Sequence, residues 1–316
     1  MFARLVLTRL IELAIVLFGV SLIVFLMIRL IPGDAVAIML GANTEVTPDR
    51  IAELRGRLGL DRPVVEQYLR WAGAALKGDL GVSIWTGRPV MAEIGEHAGP
   101  TLQLALLSLI VGAGLAVPAG VLMAQWRGRR ADSILRVITV VGLTTPSFWL
   151  GIIFILLLAA LAPGVQALGY IPFSEDPLGN VSRLLLPAIA LGFPIVAHLS
   201  RLVRSAMLDA LGQDYVRTAR AKGLSENVVV YKHALRNALI PFVTSLGVTA
   251  GYLLGGAIVV EQVFAIPGMG RLILGAIAER NYPLVQASIL VVTSAFVIVN
   301  AVIDMLYVVI DPKLRS

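Results

Sequence analysis

The sequence predicts an all-α, polytopic membrane protein with six transmembrane helices, and three observations carry that expectation. The chain is 58% hydrophobic and 15% charged, with a mean hydropathy of +0.86, whereas a soluble domain carries ~25% charged residues. Its formally charged side chains leave six long apolar runs, 13–28, 97–126, 137–174, 184–200, 237–260 and 281–303. A bilayer core takes about 20 apolar residues per helix, so each run holds one span. A soluble helical protein would break such runs with polar residues every few positions. The third observation is lopsided charge: residues 1–9, 126–136, 201–236 and 310–316 hold 15 Lys plus Arg in 63 positions, whereas 29–100, 161–183 and 261–283 hold 11 in 118. By the positive-inside rule the dense side is cytoplasmic, and an even number of spans puts both termini there. The net charge of +6 and pI near 9.9 thus follow from topology and imply no nucleic-acid partner.

Taken in order, span one falls at 10–31. The flank MFARLVLTRL is basic like that of a signal peptide, but the apolar run after it exceeds the roughly 7–15 residues of a signal h-region; a retained helix is expected. An external loop, 32–100, follows and is too apolar for simple disorder. In TPDRIAELRGRLGL, Thr47 is an N-cap, Pro48 opens the helix, Ile51, Leu54 and Leu58 share a face, and Gly59 ends it. A second amphipathic helix over 63–76 puts Val64, Val65, Tyr68, Leu69 and Ala72 on its apolar side. The two helices either pack on the outer ends of the spans or present a docking surface, and the same residues can serve both.

Spans two to four, 101–125, 135–160 and 184–203, contain Pro118, Pro146, Pro187 and Pro194, each of which removes a backbone donor and predicts a kink. In span five, 238–260, Gly247, Gly251 and Gly255 recur every four residues, a double GxxxG that lets another helix, of this chain or a second, approach closely. Span six covers 284–309. The ionisable residues Glu12, His198 and Asp304 sit toward the inner edge rather than opposite one another at the midplane, where an ion relay needs them. There is no cysteine, which excludes disulfides and thiolate chemistry. HExxH, GxSxG and GxxxxGK[ST] are absent, and His97, His198 and His233 are scattered. The chain is therefore not expected to be an enzyme or to bind a metal or cofactor.

Between spans four and five lies a charged cytoplasmic loop, 204–236. It reads as helix, break, helix: residues 215–222 are helix-compatible, Gly223 stops them, Ser225 is an N-cap, and helical spacing resumes up to Pro241. Such a pair could be a solvated linker, a membrane-surface amphipath or a docking element. Small residues at Ala219, Ala221 and Gly223 would admit close backbone approach, with Arg217, Arg220 and Lys222 as charged handles.

This segment, DYVRTARAKGLSENVVVYKHALRNALIP, resembles the cytoplasmic loop of binding-protein-dependent ABC transporter permeases. LFGVSLIVFLMIRLIPGD (17–34), LGLDRPVVEQYLRW (58–71), GDLGVSI (78–84), TPSFWLG (145–151), VEQVFAIPGMGRLI (260–273) and DMLYVVIDPKLR (304–315) resemble the first, B-type permease of the dipeptide, oligopeptide and nickel group. The family's loop pattern is EAA, three residues, Gly, nine residues, IxLP. Aligned on Gly223, this chain has Arg217-Thr218-Ala219 and His233-Ala234-Leu235-Arg236 at the two ends, and only Ala219, Gly223 and Leu235 match. The resemblance implies a type I ABC importer permease fold in the bacterial inner membrane. It also implies a coupling helix that meets the ATPase through Tyr215, Arg217, Thr218, Ala219, Arg220, Ala221, Lys222, Gly223 and Leu224, with His233, Leu235 and Arg236 beyond. The implied partners are a second six-span permease, two cytoplasmic subunits that use ATP and Mg, a periplasmic or lipid-anchored substrate-binding protein, and a peptide cargo. A nickel or other small-solute cargo is the alternative. An ion-driven secondary transporter would call for inverted repeats or midplane carboxylates, which are missing.

Overall fold

The computed structural model describes residues 2–30, 61–166 and 168–310. Among these the chain is helical, with a lone antiparallel bridge between Val82 and Pro89. The helices are α1 (Phe2–Leu30), α2 (Val64–Ala75), α3 (Val90–Gln125), α4 (Arg130–Thr144), α5 (Ser147–Leu161), α6 (Pro177–Leu211), α7 (Asp214–Ala221), α8 (Glu226–Val228), α9 (Leu235–Gly256), α10 (Ile258–Val263), α11 (Met269–Ala278) and α12 (Tyr282–Ile310), with a π-helical turn over Val229–Ala234. The expected helix at 47–59 lies outside the described residues.

Four of the helices, α1, α3, α6 and α12, are long and apolar enough to cross a membrane, and α4 with α5 makes a fifth span if the bent pair counts as one. The fifth expected span falls on α9, whose 22 residues rise about 33 Å at 1.5 Å each. The continuous span expected over 135–160 is instead broken, with α4 and α5 meeting at 107°. The cause is local. Pro146 cannot donate, and it drives Thr145 into extended backbone at φ −87°, ψ 124°, because its ring crowds the preceding residue out of the helical region. Pro118, Pro187 and Pro194 lie inside unbroken helices. Helix α3 also begins at Val90 rather than near 101, taking the end of the expected external loop into the helix.

The chain divides into two compact units, Met1–Gly99 with Arg271–Ile298, and Pro100–Gly270 with Val299–Ser316. In the first, Tyr68 of α2 is wedged edge-on against Phe25 and Phe18 of α1, at 5.2 and 6.2 Å between ring centres, and its hydroxyl shares a 2.8 Å hydrogen bond with Ser21. Trp71 stacks beside Phe25. The face of α2 turned to α1 is thus aromatic, while Val64, Val65 and Leu69, expected on its apolar side, are exposed. The same unit pins the turn before α3 to the start of α12: the Trp85 indole donates to the Glu279 carbonyl at 2.8 Å, and Asn281 donates to the Ser83 hydroxyl and accepts from the Ile84 N–H.

In the second unit α6 is the hub. Ala188, Leu191, Ile195, Leu199, Val203 and Met207 are buried along it, packed against α4, α5 and α9. Helix α3 comes close enough that a Cβ added at Gly112 would lie 2.7 Å from Ile195, and one at Gly120 would lie 2.6 Å from Val203 and 2.7 Å from the Ser200 carbonyl. Asp132 on α4, 1% exposed, is bound through both oxygens by Arg204 of α6 at 3.1 Å, and accepts from the Gly128 N–H. One buried ion pair therefore ties the base of α4 to the lower part of α6.

Candidate coupling surface

An eight-residue helix such as α7 is too short to persist alone, since isolated helices below about 12 residues are marginal. Its order comes from packing. Val216 and Ala219 face inward and are buried against Val229 of the π turn and Leu211 at the end of α6; burying each valine contributes roughly 1.5–3 kcal/mol. Ala219, expected at a small-residue apex, is therefore part of the seat, and its size lets α7 lie close on the π turn.

The end of α7 is fixed by backbone chemistry. Gly223 adopts φ +77°, its N–H bonds to the Arg220 carbonyl at 2.9 Å, and the Leu224 N–H reaches back to the Ala219 carbonyl at 3.4 Å. This is the paired closure by which a glycine in left-handed conformation satisfies the last carbonyls of a helix. Ser225 stands at the N-cap of α8 as expected, but its side chain makes no capping hydrogen bond. The helix resumes at Glu226 and does not end at Pro241; it passes through the π turn, where the Leu235 N–H bonds to the Val230 carbonyl five residues back, and continues as α9.

Outward, α7 presents Tyr215, Arg217, Thr218, Arg220 and Ala221, followed by Lys222, Gly223 and Leu224, all exposed. Not all are free handles. Arg220 grips Glu226 across the Gly223 turn, with Nη2 to Oε1 at 2.7 Å and Nε to Oε2 at 3.1 Å. That hydrogen bonding holds the Glu226 carboxyl below the usual carboxylate range and raises the guanidinium. Arg217 pairs loosely with Asp214 at 3.3 Å, and the Tyr215 hydroxyl accepts from Asn237 Nδ2 at 2.9 Å. His233 and Leu235 are half-buried on the π turn and the start of α9, and Arg236 is exposed. The result is a short, clasped, cationic ridge on an apolar seat.

The three glycines singled out for helix packing behave differently. A Cβ on Gly247 would overlap Ile303 of α12, and Gly255 has nothing within 4 Å; Gly251 is buried. The glycines at the α3–α6 approach, Gly112 and Gly120, flank the fully buried Ala116 at four-residue spacing, a small-xxx-small pattern that was the available signal. A second feature missed from sequence is Glu261 in VEQVFAIPGMG. Fully buried, it accepts from the Thr101 hydroxyl at 2.6 Å and from the Gly270 N–H at 2.8 Å, while Thr101 also accepts from the Met269 N–H. A carboxylate flanked by PGMG, whose glycines leave room for it, was the available signal.

Residues 116–316 match the family described as binding-protein-dependent transport system inner membrane component, and residues 1–98 match its N-terminal membrane component. The chain is 40% identical over 311 residues, 98% of both proteins, to the glutathione transport system permease protein GsiC of Escherichia coli. It is equally similar, over the same length, to GsiC of Shigella flexneri. It is also 34% identical over 310 residues, 98% of both, to a probable peptide ABC transporter permease protein of Sinorhizobium fredii.

Proposed function

The chain belongs to the inner membrane component family of binding-protein-dependent transport systems, and from that premise we propose that it is one membrane-spanning half of an ATP-driven importer of dipeptides and oligopeptides. The observation that carries the mechanism is the clasped ridge of α7 seated on Leu211 and Val229. A motor outside the chain can move α6 and α9 only through a rigid element joined to both, and α7 is joined to both. In this reading two cytoplasmic ATPase subunits use ATP and Mg, receive the ridge in a groove, and by closing turn the passage outward; hydrolysis resets it. A second permease faces this one, and a receptor outside the membrane delivers cargo. Both termini lie on the α7 side, a placement supported by the excess of Lys and Arg there.

The cargo class is supported by the relatives named for peptides and for glutathione, itself a tripeptide. The decisive measurement is ATP hydrolysis and peptide uptake by the complex in liposomes, with and without receptor and a small peptide. Stimulated hydrolysis with accumulation of peptide supports the reading. Hydrolysis and uptake indifferent to every peptide, with a response to nickel instead, would replace it by the small-solute alternative.

A further inference from the structure

One face of α6 is polar where a lipid-facing helix would be apolar. His198, Arg201, Ser205 and Asp209 are all exposed, and at about 100° per residue they fall within about 80° of one another around the helix. The first two lie at the cytoplasmic end of the expected span 184–203, and Ser205 and Asp209 lie just beyond it. Elsewhere on α6 the exposed residues Leu178, Val181 and Leu185 are aliphatic, and the exposed Ser182 turns its hydroxyl back to the Gly179 carbonyl at 2.8 Å. The polar face continues onto α9. His198 Nε2 meets the Ser245 hydroxyl at 3.0 Å, Thr249 follows one turn on with its hydroxyl on the Ser245 carbonyl, and Tyr252, strongly exposed, shares that side by helical spacing.

The two helices run antiparallel, since Leu211 packs beside Val229 while His198 meets Ser245. Tyr252, Thr249, Ser245, His198, Arg201 and Ser205 therefore form one track about 20 Å long. At the inner membrane edge an ionisable side chain turns either to the headgroups or to a water-filled cavity, and the His198–Ser245 hydrogen bond that carries this face onto α9 favours the cavity. The chemistry of this track is a guanidinium, an imidazole and hydroxyls, with the Asp209 carboxylate one turn beyond Ser205 at its cytoplasmic end; at the level of Arg201 the donor set matches a carboxylate, which arginine binds bidentately. We infer that this track is the wall of the passage on this subunit and that Arg201, aided by His198, takes the free carboxylate of the peptide in transit. The inference rests on the peptide-importer reading above.

Because the chain has no cysteine, Ser205→Cys and Leu185→Cys each place a single thiol on it in the assembled transporter, with labelling read on this chain by mass spectrometry. Normalised to the reactivity of free thiol, Ser205→Cys should react with an anionic methanethiosulfonate about tenfold faster than with a cationic one, the enrichment expected of a cation-lined cleft. Adding Arg201→Ala should bring the ratio to about one, and Leu185→Cys should resist both reagents. A tripeptide with a free C-terminus should slow labelling severalfold, and its C-terminal amide should not. Equal reactivity toward the two reagents, labelling no faster than at position 185, or equal protection by acid and amide would each overturn the assignment. Peptide uptake by the unaltered complex, measured in parallel, separates the two levels. No uptake of any peptide removes the importer reading and the occupant with it, whereas normal uptake with a charge-blind Ser205 site removes this inference alone.

Discussion

Replacing Gly223 tests whether α7 works by its shape or merely by its surface. Gly223 sits at φ +77°, and a Cβ built there meets nothing within 4 Å, so within this chain the penalty of substitution is conformational and not steric. An L-residue held in left-handed backbone loses roughly 1–2 kcal/mol, and asparagine loses less. A penalty of about 1 kcal/mol shifts the closed turn about fivefold toward an open one. Opening releases the 2.9 Å bond to the Arg220 carbonyl and the 3.4 Å bond to the Ala219 carbonyl, and with them the Arg220–Glu226 clasp that spans the turn. The assay is the ratio of peptide taken up to ATP hydrolysed in liposomes. Gly223→Ala should lower that ratio severalfold, Gly223→Asn should lower it less, and both should insert into membranes normally. A loss that grows with side-chain volume irrespective of left-handed preference would refute the conformational argument and point to contact at position 223 itself. An unchanged ratio in both variants would refute the role of the turn altogether.

Three further outcomes follow from the packing. Asp132→Ala leaves Arg204, 22% exposed, without its buried carboxylate, and should destabilise the protein by about 3 kcal/mol, read as a lowered thermal midpoint in detergent. Gly120→Ala drives a methyl to 2.6 Å from Val203 and 2.7 Å from the Ser200 carbonyl, whereas Gly114 has nothing within 4 Å; the first should destabilise by about 1–3 kcal/mol and Gly114→Ala should not, in the same thermal assay. Glu226→Gln removes a clasp whose partners are 44% and 59% exposed, so solvent screening limits the stability change to about 0.5 kcal/mol. Because the Glu226 carboxyl is lowered by Arg220, its stabilisation is present in full above the ordinary carboxylate value of about 4.3 and is lost only as pH falls through the lowered one. The coupling ratio of the native protein should therefore show no dependence on this pair between about pH 6 and 8.

The apolar runs and the limits of α7 were legible because both depend on chemistry local to the chain. A run such as 281–303 needs only length and apolarity, and the stop at Gly223 needs only a residue that tolerates left-handed backbone. What stayed hidden depends on a second element. Spacing drew attention to Gly247, Gly251 and Gly255, yet a glycine is used where another helix fills its missing Cβ: Ile303 does that for Gly247, nothing does for Gly255, and Ile195 and Val203 do it for Gly112 and Gly120. Ala219 matched a family pattern, but only the position of Val229 decides that it faces inward. Pro146 was legible as an interruption; its 107° bend was not, because Pro118, Pro187 and Pro194 carry the same local rule and leave their helices continuous.

The placement of the ridge and of the polar track on the same two helices has a mechanical consequence. Leu211 and Val229 flank the seat of α7, and α6 and α9 extend from that seat to the His198–Ser245 contact. From Leu211 to His198 is 13 residues, about 20 Å of helix. A helix is stiff along its axis, so under the proposed coupling role a displacement applied at α7 would reach the track as a tilt of α6 against α9 rather than as a local distortion. The Asp132–Arg204 pair lies between the two levels and ties α4 to the same lever. If tilt is the transmitted motion, weakening that pair should reduce coupling by more than its effect on stability alone, because it lets α6 slide past α4 without moving it. Arg204→Lys, which keeps the charge but loses the two-point grip on Asp132, separates those contributions: the thermal midpoint should fall little while the transport-to-hydrolysis ratio falls clearly, and a proportional fall of both would place Arg204 among purely structural residues.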